Sequence, residues 1–183
     1  MTAPLPVLGV DPGRTGAAVL LGPTGALEVA WTWRPARGGS LRLAQLGAGE
    51  QHFVDPHDIG SALHWRVQGR GVARAVVVVE QLFVPRQASP ATFLPLAEET
   101  GALVASLRPL GDGEVLRVLA SQWRPAILGL RANVSSKAAE AAALAACRGG
   151  LVRGAEEVAD PHLAEAAMIA RWGWVQQCAA GRG

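Results

Sequence analysis

Apolar positions along the chain fall into unbroken runs, alternating runs and helical stripes. Leu5 to Val10 is a nearly continuous apolar stretch of strand length that ends on one acid, Asp11, and breaks into Pro12-Gly13. Thr15 to Leu21 follows as a second strand, Gly22-Pro23-Thr24-Gly25 is a turn, and Ala26 to Trp33 reads as a third strand. Three strands joined by short turns predict an antiparallel meander. Arg34 to Gln51, rich in Gly and Arg, reads as a loop with one short element. Asp55-Pro56 supplies the N-cap and first-turn proline of a helix with Ile59, Leu63 and Val67 on one face, ending near Gly69 or Gly71. Ala73 to Glu80 contains the run Ala75-Val76-Val77-Val78-Val79 and ends on a second acid. A run without alternation predicts a strand covered on both faces, central and partly parallel.

Downstream, Ser89-Pro90 opens a helix through Leu107, with Leu96, Thr100, Leu103 and Leu107 at helical spacing and Pro95 as an interruption. Gly113 to Leu119 is a fifth strand. Ser135 or Ser136 starts an alanine-rich helix to Cys147, and Asp160-Pro161 opens the last helix.

Composition narrows the class. With 183 residues, half of them hydrophobic, residues 1–183 are expected to form a single domain. Met1-Thr2-Ala3-Pro4 carries no basic leader and no apolar run approaches the roughly 18 residues of a membrane span, so a cytoplasmic protein without membrane association is expected. Cys147 and Cys178 lack metal-type spacing and read as small hydrophobes. Net charge is only +2, and the cations are arginines except for one lysine, Lys137, in the first turn of the alanine-rich helix. A lysine at the positive end of a helix dipole is mildly unfavourable, which points to an external anion or to a solvated side chain tolerated at little cost.

Three acids and a histidine stand out. Asp11 and Glu80 each terminate an apolar strand; side by side, two such carboxylates repel unless a metal ion or a proton lies between them. On its own, Asp11 also suits an Asp-Pro-Gly turn in which its side chain bonds backbone amides. In the last helix His162 and Glu165 are three apart and share one face of the first turn. Asp160 before Pro161 suits an N-cap, and Asp55-Pro56-His57 repeats the same tripeptide at the earlier helix, so Asp-Pro-His alone is no signature of chemistry.

The order of Val-Asp-Pro-Gly-Arg-Thr-Gly (10–16), Val-Glu-Gln-Leu-Phe (79–83) and His-Leu-Ala-Glu-Ala-Ala-Met-Ile-Ala (162–170) resembles the RuvC-type Holliday junction resolvases of the ribonuclease H-like superfamily, over nearly the whole chain. The resemblance implies a five-stranded mixed sheet, three antiparallel strands then parallel ones, with helices on both faces. It implies a crossover junction endonuclease that hydrolyses phosphodiesters with two magnesium ions held by Asp11, Glu80, His162 and Glu165. His162 replaces the usual carboxylate and Glu165 lengthens the usual Asp; imidazole suits manganese, which is expected to substitute or be preferred. By position, Phe83, Arg86, Arg124 and Lys137 are expected to contact junction DNA, with Lys137 near the scissile phosphate. The 89–107 helix is expected to contribute to a homodimer, whose twofold would present two sites to a four-way junction. No motif specifies a branch-migration or recombination partner.

Two other classes fit parts of the pattern. His162 breaks the all-carboxylate set, as in a non-catalytic junction-binding relative. Asp-x-Gly-x-Thr-Gly (11–16) also resembles the phosphate-binding turn of actin-like kinases and ATPases, which need two such lobes, and the chain has no second Asp-x-Gly-x-Thr.

Overall fold

A computed structural model describes residues 4–49, 51–81, 90–131 and 134–180. Seven strands form one mixed sheet: β1 (Val7–Asp11), β2 (Gly16–Leu21), β3 (Leu27–Pro35), β4 (Leu41–Gln45), β5 (Gln51–Val54), β6 (Val76–Glu80) and β7 (Leu116–Val118), in the order β5-β4-β3-β2-β1-β6-β7. The meander is antiparallel as expected, and β6 and β7 add in parallel beside β1. The helices are α1 (Ile59–Gln68), α2 (Pro90–Leu107), α3 (Ala120–Leu128), α4 (Ser136–Arg148) and α5 (Pro161–Ala180). No helix among the described residues is long and apolar enough to cross a membrane.

The expected count of five strands is corrected to seven. The 34–51 stretch, read as a loop with one short element, contains β4 and leads into β5, an antiparallel pair that extends the sheet past β3. Leu41 and Leu43 alternate with Arg42, and the two leucines bury while the arginine stays exposed. Five residues of period-2 signal among glycines gave too short a pattern to separate from a loop. A further helix, α3, was not anticipated, because Pro125 lies inside it and breaks the apolar period.

Both faces of the sheet are covered. On one side α1 and α2 pack through Leu63, Val67, Leu103 and Leu107 against Leu8, Val10, Leu20, Trp31 and Trp33. The α2 stripe is therefore core in its C-terminal half, while Leu94 nearer the start is exposed. On the other side α4 and α5 cover Val7, Ala17, Val19 and Val78, with Cys147 fully buried among them.

One contact decides how closely α5 lies. Gly9 sits in β1 under α5, and a Cβ there would come within 2.3 Å of the Ala170 backbone nitrogen and 2.5 Å of the Ala166 oxygen. Gly173, one turn further on, leaves room for the Val78 and Val7 side chains, which a Cβ there would meet at 2.6 and 3.0 Å. The stripe Ala166, Ala170 and Gly173 is small so that helix and strand backbones can touch. At its far end Gln177 both accepts from the Leu5 N–H (3.1 Å) and donates to the Leu5 carbonyl (3.2 Å), fixing the helix along β1.

Gly9→Ala is expected to cost about 3 kcal/mol, about 10 °C in thermal midpoint, since the obstacle is backbone that cannot rotate away. Gly101→Ala in α2, where a Cβ meets open space, is expected to shift the midpoint upward slightly. Thermal denaturation of the two variants beside the parent checks both signs.

Candidate metal and catalytic site

β1 and β6 run parallel and end at the same edge of the sheet, so their terminal acids, Asp11 and Glu80, emerge together. α5 begins at that edge. Asp160 caps it: its Oδ1 accepts the backbone N–H of His162 at 2.9 Å and of Leu163 at 3.3 Å, while its Oδ2 pairs with Arg34 of β3. Asp160 is thus engaged as a cap and ion-pair partner. The cap leaves the His162 and Glu165 side chains in the first turn, directed at the end of β1.

His162 Nδ1 donates to Asp11 Oδ2 at 2.8 Å. Asp11, only 9% exposed, does not bond the amides of its own turn; the turn is held by Trp33, whose indole N–H donates to the Gly13 carbonyl at 2.7 Å. Asp11, His162 and Glu165 each offer a ligand atom within 4.8 Å of the others. The donor set of two carboxylates and an imidazole fits a divalent cation.

Glu80 stands beside this group and outside it. Its carboxylate accepts the indole N–H of Trp123 at 3.2 Å, and Trp123 is fully buried. The next residue, Arg124, donates to Glu165 at 2.9 Å and stacks 5.3 Å from the Trp123 ring centroid, with its side chain only 13% exposed. α3 therefore supplies a neutral donor to one acid and a cation to another. Sequence reasoning missed Trp123 entirely and placed Arg124 on DNA; in the structure its guanidinium is turned into the acidic cluster.

Burial governs the protonation of these groups. Desolvation, reinforced by the neighbouring carboxylates, pushes Glu80 up to about 7. Glu165 is pushed up to about 7 by burial and by Asp11, against the pull of Arg124. Asp11 is raised by burial despite the hydrogen bond from His162, and that same bond raises His162. Three acids that resist ionising together are what a site for cations looks like when its charge must be balanced from within.

Of the remaining sequence-predicted residues, Lys137 lies exposed in the first turn of α4, whose N-cap Ser135 accepts from the Ala138 N–H. Phe83 and Arg86 lie outside the described residues.

The class defined by this geometry is an α/β fold with an acidic site at the ends of two adjacent parallel strands, completed by the first turn of the last helix. Comparison with solved structures makes it more particular. Thermus thermophilus RuvC in complex with a Holliday junction substrate is similar with a TM-score of 0.52 and 19% identity, over 96% of this chain and 96% of that one. A second structure of Thermus thermophilus RuvC gives 0.46 and 19%, over 95% and 96%. The first likeness establishes the RuvC-type, ribonuclease H-like fold for this chain. No family model matches the sequence, and no curated protein does.

All the shifts in the site have one sign. A carboxylate raised from its unfolded value near 4.5 to about 7 binds more protons folded than unfolded across that interval, so stability falls as pH rises through it; a raised His162 acts in the same direction. In chelator, the thermal midpoint is expected to drop by about 5 °C or more between about pH 5 and about pH 8. Glu80→Gln is expected to flatten that profile, as differential scanning calorimetry would register.

Proposed function

We propose that the protein is a structure-selective DNA endonuclease that resolves four-way junctions by metal-dependent phosphodiester hydrolysis, acting as a single-domain cytoplasmic protein and as a homodimer. The observation that carries this reading is the convergence of Asp11, Glu165 and His162 within ligand distance of one another, with Glu80 alongside, at the strand ends of a RuvC-type fold. A RuvC-type fold over 96% of the chain and donor chemistry that suits divalent cations support the reading.

Asp11, Glu80, His162 and Glu165 would hold two ions. Bound there, magnesium or manganese supplies the charge that makes a water nucleophilic and stabilises the departing oxyanion. The chain's own groups do the rest. His162, whose Nδ1 is engaged by Asp11, has Nε2 left to take up and return a proton. Arg124 holds Glu165 in place and offsets its charge. Lys137, exposed on the first turn of α4, adds a compact cation for the negative charge that builds on the phosphate. Phe83 and Arg86 would contact the junction, and Leu94, exposed in the first half of α2, suits the dimer contact. The twofold would then deliver paired nicks to symmetric strands.

The test is cleavage of a labelled synthetic four-way junction beside a linear duplex and an RNA·DNA hybrid, each in magnesium, manganese or chelator. Symmetric nicks confined to the junction and absent in chelator support the reading. Tight junction binding without cleavage in any metal replaces it with a non-catalytic relative, and cutting of the hybrid alone moves the protein to ribonuclease activity. Asp11→Asn is expected to lower cleavage by about a thousandfold or more while junction binding persists. Lys137→Met is expected to lower the single-turnover rate by about a hundredfold with little change in affinity, measured by gel-resolved kinetics at saturating enzyme.

A further inference from the structure

The strands that extend the sheet past β3 carry a surface that the catalytic site does not use. Arg34 of β3 lies directly opposite Arg42 of β4, and Arg42 directly opposite Phe53 of β5. Cross-strand partners project from the same face, so the three side chains form one row. Their neighbours identify the face. Trp33, Leu41 and Leu43 point to the α1 and α2 side, so the row lies on the side of α5. Beyond β3 no described helix covers that side: Arg34 and Arg42 are exposed, and Phe53 is 69% exposed.

This row is unfavourable by itself. Two guanidiniums in direct cross-strand register repel, and Asp160 neutralises only Arg34, while Arg42 makes no ion pair with another described residue. Residues 34–54 hold three arginines, Arg34, Arg37 and Arg42, against one acid, Glu50. A phenylalanine so exposed beside Arg42, which makes no ion pair with a described residue, lacks any core role, and an aromatic face next to cations is the composition of a nucleic-acid contact. The row also starts at the candidate catalytic site, because the Asp160 that binds Arg34 is the cap that positions His162.

We infer that the Arg34–Arg42–Phe53 row is a DNA-binding track that carries a strand of the branched substrate away from the catalytic site, with Arg42 on a backbone phosphate and Phe53 stacked on a base. Strands lie about 4.8 Å apart, so the row spans about 10 Å from β3 to β5, room for successive phosphates of one strand. The inference rests on the DNA-endonuclease reading above and adds a second contact region to it.

The experiment measures binding of a fluorescent four-way junction to the full chain across a salt series, for the parent, Arg42→Ala, Arg42→Glu and Phe53→Ala. Arg42→Ala is expected to weaken binding about threefold to tenfold and to make the slope of log K against log salt shallower by about 0.9, the signature of one lost phosphate contact. Arg42→Glu should weaken it further. Phe53→Ala should lose about fivefold or more with the slope unchanged, because stacking releases no counterions. Wild-type affinity and slope in all three variants, with unchanged thermal midpoints, overturn the track while leaving the nuclease reading intact. A change of oligomeric state without a change in DNA affinity overturns it in favour of a protein interface. A parent that binds no DNA overturns the reading on which the track rests.

Discussion

The backbone-to-backbone contact of α5 on β1 is the constraint from which the site follows. Gly9 leaves no side chain between strand and helix, and a Cβ there would meet the Ala170 nitrogen at 2.3 Å. Asp11 is two residues further along the same face of β1, and His162 and Glu165 lie one to two turns before Ala170 on α5. The distance between the acid of the strand and the donors of the helix is therefore set by glycine and alanine packing rather than by the functional side chains themselves. A helix standing off by the width of a leucine would leave the same four residues present and unable to meet.

Bringing them together costs electrostatic energy, and the fold meets that cost with few groups. Glu80 takes the Trp123 indole, Glu165 takes the Arg124 guanidinium, and Asp11 takes the His162 ring. Each acid thus has one dedicated donor, and two of the three donors come from consecutive residues of a short helix. Burial still holds both glutamates near 7. Added positive charge would relieve that strain directly, which is the physical content of the site's fit to divalent cations.

Legibility in the sequence followed the strength of each local pattern. The valine run before Glu80 and the apolar run before Asp11 are dense enough that their strand character and their terminal acids were evident. β4 and β5 were lost because a Leu-Arg-Leu alternation flanked by glycines is brief, and their pairing depends on β3 continuing to Pro35. α3 was lost to Pro125. With it went the two residues, Trp123 and Arg124, that partner the glutamates, since an indole and a guanidinium carry no spacing signal that points them inward rather than at solvent.

Two identical tripeptides separate what the chain encodes locally from what the fold adds. Asp55-Pro56-His57 and Asp160-Pro161-His162 both begin helical turns, and in both the aspartate accepts the histidine N–H at 2.9 Å, as capping chemistry alone dictates. The sequence by itself determined those caps, the apolar strands, their terminal acids and the mixed α/β class, because each rests on interactions between residues near in the chain. Tertiary structure alone decided that His57 faces solvent while His162 meets an aspartate 151 residues away. It also turned Arg124 into the acidic cluster and aligned Arg34, Arg42 and Phe53 on an open face. Those outcomes depend on sheet register and on how closely one helix lies against one strand, which are properties of packing and of no single segment.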